Sequence, residues 1–384
     1  MIRIEDPKKC CGCTACMSVC PQNAITMKPD VLGFMYPKVD ELLCVKCGLC
    51  EKVCAFNEKY DKSLNLPEPL SFGVRHKNIN EVESSRSGAA FIAFSDWVIE
   101  HGGVVYGVGY KGHFRVAHKR AATKQERNEF KGSKYVQSDV GDCFRQIKKE
   151  LTEGLLVLFS GTACQTAGLN SYVGSKLRKN LIVIDIVCHG SPSPFIWRDY
   201  LSYVEAKYKS TASIVNFRDK TKWGWSAHRE SIVFANGQRW DSDIYTYLFY
   251  SHIMFRQSCG ICHFCNLIRP SDITIADYWG WEKTNSTINV DDKGCSLVLC
   301  NTEKGKTLFN NVSDELTFWN VSLKDCMQPN LMKPSPIHRH RMNFEKDYAQ
   351  KGFRYVLYRY GNVGLIYVIR KIWRKVNCKI RGQK

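Results

Sequence analysis

No stretch of this 384-residue chain keeps eighteen apolar residues together, so no bilayer-spanning helix is expected. The N-terminus, MIRIEDPKKC, lacks the apolar core of a secretory signal, and the protein is expected to work in the cytoplasm. Acidic residues are scarce too: 37 Asp and Glu stand against 55 Lys and Arg, a formal net charge of +18. That shortage is local. From Ile337 to Lys384 thirteen Lys and Arg face only Glu345 and Asp347, a net +11, while the rest is mildly basic. A nucleic-acid partner would rest on this tail alone, and none is expected. Cysteine is the opposite case. Nineteen cysteines would mean disulfides in a short secreted chain, but the length, the missing signal and the Cys-x-x-Cys spacing point to metal ligands in a reducing compartment.

Cys10, Cys13, Cys16 and Cys20 precede Pro21 as C-x2-C-x2-C-x3-C-P, and Cys44, Cys47, Cys50 and Cys54 repeat the spacing with Ala55 in place of proline. Two such runs are the pattern of a bacterial two-cluster ferredoxin, in which the fourth cysteine of each run serves the other cubane. The expected ligand sets for two [4Fe–4S] clusters are Cys10, Cys13, Cys16 with Cys54, and Cys44, Cys47, Cys50 with Cys20. Zinc is a poor second reading, because zinc motifs rarely repeat this spacing with the proline. Cys11 is left over and reads as a small buried filler. Between the runs, AITMKPDVLGFMYPKVD predicts two short strands around a turn. The module is expected over residues 1–60, followed by a polar, proline-bearing linker over 61–70.

Residues 71–335 alternate helical and strand patterns. SGAAFIAFSDWVIEHGG, DVGDCFRQIKKELTEG, TACQTAGLNSYV and SPFIWRDYLSYVEAKY read as helices, and VVYGVGY, LLVLFSG and LIVIDIVCHG as strands. Continuous apolar strands between helices predict a largely parallel sheet covered on both faces. SIVFANGQRW reads as a hairpin around Asn236-Gly237, so an antiparallel portion is mixed in. The expected fold is therefore an α+β ferredoxin-like module followed by a mixed, largely parallel α/β domain. Gly107, Gly109 and Gly112 spell G-x-G-x-x-G after a strand, but FRVAHKRA follows instead of the helix that a dinucleotide fingerprint needs, so a plain turn is expected.

FSGTACQTAG places small residues, and Cys164, between a buried strand and a helix, where backbone N–H groups can hold a phosphate or an acid. Cys188 also ends an apolar strand, so parallel strands would bring both thiols to one sheet edge. Cys259, Cys262 and Cys265, spaced by two residues, form a ligand triplet short of a partner. Three readings stay open. Cys164 and Cys188 join Cys259 and Cys262 around a third cubane with Cys265 spare; or the triplet binds zinc with His263 or another residue; or these are buried free thiols.

SRSGAAF, KGSKYVQSD, FSGTACQ, DIVCHGSPS, FRDK, QSCGICHFC and RPSDITIADYWG occur in this order over roughly residues 84–281. With the N-terminal runs, this ordered set resembles the coenzyme F420 hydrogenase/dehydrogenase beta-subunit family, in its bacterial, ferredoxin-fused form often linked with surface-polysaccharide gene clusters. The resemblance implies a flavin-binding large domain with FAD, a cluster beside it, and a two-electron substrate, F420-like or sugar-linked, on the open flavin face. It implies that Cys164, Cys188, Cys259 and Cys262 hold a third [4Fe–4S] cluster. It also implies that Ser87, Gly88 and Ala89, Lys134 and Tyr135, and Ser160, Gly161 and Thr162 with Gln165 approach the flavin. A flavin handles one electron or two, which suits a place between a one-electron wire and such a substrate.

His189 and Asp277 are the acid–base candidates, the first as a proton donor during hydride transfer; the plainer readings are a backbone-bonded histidine and an ion-paired carboxylate. FRDKTKWGWSAHRE gathers Arg218, Lys220, Lys222 and Arg229 with Trp223 and Trp225, either as a site for an anionic or sugar-like substrate or as a solvated loop. The tail, 336–384, is basic and amphipathic. It reads as a packed helix, a peripheral contact with the inner membrane surface, or a dock for an acidic electron carrier. Expected partners are a ferredoxin or flavodoxin, or a small hydride carrier. The functions that fit are a flavin-dependent oxidoreductase fed by clusters, and an electron-transfer subunit linking a soluble carrier to a separate catalytic partner.

Overall fold

The computed structural model of the chain describes residues 1–57 and 60–364. In the N-terminal part, β1 (Ile25–Pro29) and β2 (Met35–Val39) pair antiparallel, with Ile25 opposite Val39. Asp30 makes the turn, its carboxylate accepting the N–H groups of Leu32 and Phe34. Short helices, Ala15–Val19 and Leu49–Lys52, sit inside the two cysteine runs. Each follows a residue in the left-handed region, Thr14 at φ +68° and Gly48 at φ +75°, which bends the run back on itself.

Residues 65–70 were expected in the linker. They instead open β3 (Asn65–His76), a strand of the main sheet. Its two prolines are tolerated because they lie beside a bulge against β12 (Ser296–Thr302) and beyond the reach of β13 (Leu316–Asn320), which pairs only with residues 72–76.

The main sheet has the order β13-β3-β12-β11-β7-β6-β4-β5, where β4 is Val104–Lys111, β5 Arg115–Ala121, β6 Val157–Thr162, β7 Leu181–Ile186 and β11 Ile273–Asp277. The central four, β4, β6, β7 and β11, are parallel. Antiparallel strands extend both edges. Burial explains the apolar runs: Val157, Phe159, Leu181 and Val183 face one layer, with Phe144, Ile147 and Leu169 of helices Cys143–Thr152 and Ala163–Val173. Leu158, Ile182 and Ile184 face the other, with Phe94 and Val98 of helix Ala90–Glu100. Ile2, Ala15, Ile25 and Val53 of the ferredoxin-like part pack into the first of these layers.

The G-x-G-x-x-G stretch is a hairpin. β4 turns at Gly112, φ +63°, directly into β5, and a side chain at Gly107 would meet the Phe130 ring at 2.5 Å. The Asn236-Gly237 hairpin also forms, between β9 (Glu230–Phe234) and β10 (Arg239–Ser242). It does not join the main sheet, however; with β8 (Ala212–Asn216) it makes a separate three-stranded sheet. Helix Arg341–Tyr360 buries Phe344, Phe353, Val356 and Leu357 in the same core as helix Pro194–Tyr208. From Arg341 to Tyr360 the tail is thus packed helix, kinked at Gly352 (φ +75°). Residues 365–384, with Arg370, Lys371, Arg374 and Lys375, lie outside the described residues. No described helix is long and apolar enough to cross a membrane.

Candidate functional site: cysteines beside a sheet-edge cavity

The parallel strands β6 and β7 end side by side, Thr162 opposite Ile186. Cys164 follows the first and Cys188 the second, which brings them to one edge. The loop carrying Cys259, Cys262 and Cys265 closes over that edge. Arg269 fastens it: the guanidinium pairs with Asp185 at 2.8 Å and donates to the carbonyls of Ile186 and Phe264. Burial pushes the Cys188 thiol well up, and Cys259, Cys164 and Cys262 add to the effect. Cys259 is raised to about 12 by burial, with Cys262 and Cys164 again contributing. Four half-buried thiols therefore lie within one another's field. Cys265 lies against Cys262 at the margin of the group.

The donor chemistry around these sulfurs fits a thiolate-bound cluster, since N–H groups aimed at sulfur stabilise negative charge there. Ser191 N–H donates to Cys259 Sγ at 3.3 Å, and Thr162 Oγ1 lies 3.2 Å from Cys164 Sγ. Gly190 and Phe264 supply backbone N–H groups to Cys188 and Cys262. Bare Cys188 and Cys259 would keep their protons, while Cys11 lowers Cys164 to about 7 and Cys265 lowers Cys262; bound iron would deprotonate all four.

The N-terminal cysteines lie in two neighbourhoods. Burial raises Cys16 well above the ordinary thiol, and Cys13, Cys10 and Cys54 are the charges that raise it further. Cys20, Cys44, Cys47 and Cys50 line a separate small cleft, where Cys47 is exposed. Cys11 is buried, as expected, but is more than filler: its thiol lies against both Cys13 and Cys164, joining the N-terminal group to the sheet-edge group. Among the described residues no three His, Cys, Asp or Glu side chains are arranged around a single metal ion.

Next to Cys188 a cavity of about 610 Å³ opens at the carboxyl edge of the sheet, the place where open α/β folds bind ligands. Ser87, Ala89, Lys134, Tyr135, Ser160, Gly161, Thr162 and Gln165 all line it, as do His189 and Asp277. Gly88 does not; it is pressed against the sheet, its N–H donating to Ser296 Oγ. Ala89 caps helix Ala90–Glu100 in the left-handed region, φ +64°, with no side-chain cap on the first turn, and that helix start faces the cavity. Burial pulls the Lys134 amine down to about 7. Gln165 is spent internally, accepting from Thr162 N–H and donating to Ser138, which in turn faces His118.

The two acid–base candidates are occupied as well. His189 bonds Asn330 through Nδ1 and His252 through Nε2, at 3.0 and 2.8 Å, leaving neither nitrogen for a ligand. Asp277 pairs with Arg218 at 2.6 Å and accepts from Trp225 Nε1. Although burial works the other way, Arg218 and Arg86 hold its carboxyl below the usual range, which removes it as a proton donor near neutrality. Asp277 is thus the ion-paired carboxylate of the plainer reading, whereas His189 is bonded to the side chains of Asn330 and His252 and not to backbone.

FRDKTKWGWSAHRE is solvated only in part, at Thr221, Lys222 and Ser226. Arg218 and Trp225 are buried, Lys220 donates to the carbonyls of Val82, Ser87 and Lys293, and Arg218 and His228 line the cavity. Arg86, Gln137, Tyr250, Trp279 and Asn330 line it too and were missed. Arg86 and Trp279 lie inside SRSGAAF and ADYWG, where a cation and an aromatic were legible as types but not as neighbours.

Two family models match the chain. One describes the C-terminal part of the beta subunit of coenzyme F420 hydrogenase/dehydrogenase and covers residues 155–324; the other, described as a 4Fe-4S dicluster domain, covers residues 9–57. Residues 155–324 belong to the coenzyme F420 hydrogenase/dehydrogenase beta-subunit family. The family segment contains Cys164, Cys188, Cys259, Cys262 and Cys265, and the dicluster match contains both N-terminal runs. The chain thus joins an N-terminal module of the two-cluster [4Fe–4S] kind to a segment that matches this family. A chain of the F420-reducing [NiFe] hydrogenase complex from Methanosarcina barkeri matches with a TM-score of 0.46 and 14% identity, over 75% of this chain and 90% of that one. No curated protein matches.

Proposed function

We propose that this chain is an iron–sulfur flavoprotein oxidoreductase that passes electrons between its N-terminal clusters and an FAD, by way of a third [4Fe–4S] cluster on Cys164, Cys188, Cys259 and Cys262. One observation carries the reading: Cys188 belongs at once to the thiol group and to the cavity wall. The cavity residues fit the cofactor. The open helix start at Ala89 and the cations Lys134 and Arg86 suit a diphosphate, and an anion beside Lys134 would keep its amine charged. Phe91, Tyr135, Phe249 and Tyr250 offer apolar walls for a ring system. When bound, the flavin supplies exchange between one-electron and two-electron chemistry. Arg218, His228 and Trp279 leave a cationic, aromatic wall for a two-electron substrate bearing negative charge or sugar hydroxyls.

At the other end, exposed Cys47 is surrounded in sequence by exposed Leu42, Leu43 and Val45. Such a patch supports docking of an electron-carrier protein of the ferredoxin or flavodoxin kind. Anaerobic purification followed by iron, sulfide and flavin assays tests the whole reading. About twelve irons with one flavin are expected, the sum of three cubanes. About eight irons without flavin would leave a two-cluster protein and sink the proposal.

A further inference from the structure

Arg256 is among the most deeply buried side chains of the molecule, 1% exposed, and it lies between the two groups of inner cysteines. Its Nε donates to the carbonyl of Cys10 at 2.7 Å and Nη2 to that of Met35 at 3.0 Å, both in the ferredoxin-like part. Nη1 donates to Gln137 Oε1 at 3.1 Å, and Gln137 returns its amide to the carbonyl of Cys11. The backbone N–H of Arg256 donates to Ser191, whose own N–H points at Cys259. Gly12, in the left-handed region at φ +73°, makes room for the guanidinium: a side chain there would meet Nη1 at 2.9 Å. The Tyr36 ring covers it at 4.1 Å.

A guanidinium buried this deeply is costly unless negative charge lies close by. Burial works against its charge, and the groups that favour it most are Cys10, Tyr36, Cys11 and Cys259, with the Asp30 carboxylate also within its field. In return, Arg256 is an attractive charge for Cys10, Cys13, Cys164 and Cys259. These are members of both inner groups. A [4Fe–4S] core carrying four thiolates is an anion, and taking up one electron adds one more negative charge. A fixed cation beside it therefore favours the reduced form.

We propose that Arg256 is the shared counter-ion of the two inner clusters, one held by Cys10, Cys13, Cys16 and Cys54 and the other by Cys164, Cys188, Cys259 and Cys262, and that it sets both reduction potentials above the values they would have without it. The inference rests on the three-cluster reading above. Arg256 acts through the clusters, as a positioning residue, and the cluster of Cys20, Cys44, Cys47 and Cys50 serves as an internal reference.

The test is potentiometric titration, followed by electron paramagnetic resonance, of anaerobically reconstituted full-length protein. Wild type is compared with Arg256→Gln, which keeps an amide donor and loses the charge, and with Arg256→Lys, which keeps the charge. Arg256→Gln should lower the reduction equilibrium of both inner clusters at least tenfold, about 59 mV for a one-electron couple. The outer cluster should stay put, and Arg256→Lys should remain near wild type. Equal shifts of all clusters, no shift in Arg256→Gln, or loss of inner-cluster iron from both variants would each overturn the role and leave Arg256 a structural clamp. Wild type with about eight irons overturns the three-cluster reading and the shared counter-ion with it. About twelve irons without a differential shift overturns the counter-ion alone.

Discussion

Cys44, Cys47 and Cys50 lie within one short run and open to the surface at Cys47, whereas Cys164, Cys188, Cys259 and Cys262 come from two strand ends and a distant loop and are each half-buried. A contiguous run needs little more than one helical turn and a left-handed residue to gather its sulfurs. The distributed set exists only once β6 and β7 have paired and Arg269 has pinned the loop to them. The outer site is therefore written locally and suits exchange with a partner. The inner site is written in the tertiary structure and suits insulation beside the cavity.

The largest expected effect separates the two sites outright. Replacing Cys259 and Cys262 together by serine should remove about four irons and leave the two N-terminal clusters intact. Iron and sulfide content, with the resonance spectrum of the remaining clusters, reads the result. Unchanged iron would mean that these thiols hold no cluster.

The same contrast explains what was legible beforehand. The N-terminal ligand sets could be written down from spacing, because cluster geometry is imposed within a few residues. The parallel core was legible because LLVLFSG and LIVIDIVCHG are apolar on both faces, as strands between two helix layers must be. The linker was misplaced: Leu66, Leu70 and Phe72 alternate weakly around two prolines, and only a neighbouring bulge makes room for them in a sheet. Arg256 and Arg269 looked like ordinary basic residues near cysteines. Their burial depends on which carbonyls and thiols the fold delivers to them, and no local pattern encodes that. His189 and Asp277 both line the cavity, but their partners Asn330, His252 and Arg218 come from remote segments that no local pattern links to them.

If the inner site depends on tertiary anchoring, cutting the anchor should hurt far more there than at the outer run. Arg269→Met leaves Asp185 buried without its cation, at an expected cost of about 3–5 kcal/mol in denaturation of the reconstituted protein. Burial already raises the Asp185 carboxyl, with Arg269 opposing, and the variant removes the opposing charge. A raised acid binds its proton more readily in the folded state, so stability falls as pH rises from the unfolded value toward the folded one. The penalty relative to wild type should accordingly be smaller at pH 5 than at pH 8. A penalty independent of pH would assign the loss to the carbonyl contacts rather than to the ion pair.

His118 tests the polar network behind the inner turn. It donates to the Ser160 carbonyl, accepts from Ser138 and stacks on Phe159, and burial pulls it down to about 4. Between pH 4 and the unfolded value of about 6.5, the unfolded chain binds more protons. The stabilisation is whole above about pH 6.5 and is lost as pH falls toward 4, by about 3 kcal/mol at most. His118→Gln should flatten that part of the stability profile. An unchanged slope would place the acid sensitivity elsewhere.

The smallest effect should come where the two regions touch. Gly168 lies inside helix Ala163–Val173, and a methyl group there would sit 2.6 Å from Cys13 Sγ and 2.9 Å from its Cβ. On an exposed helix Gly→Ala gains about 1 kcal/mol from helix propensity. Here the added carbon must displace a cluster ligand in a filled space, which costs about 1–3 kcal/mol. The two terms nearly cancel in stability, so Gly168→Ala should change unfolding by no more than about 2 kcal/mol. The decisive signal is spectroscopic: the resonance of the cluster on Cys10, Cys13, Cys16 and Cys54 should change while that of the Cys47 cluster does not. A variant stabilised by the full helix gain, with both spectra unaltered, would show that the helix and the Cys13 turn are not in contact. The link from the ferredoxin-like module to the sheet edge would then have to run through Cys11 and Arg256 without that packing.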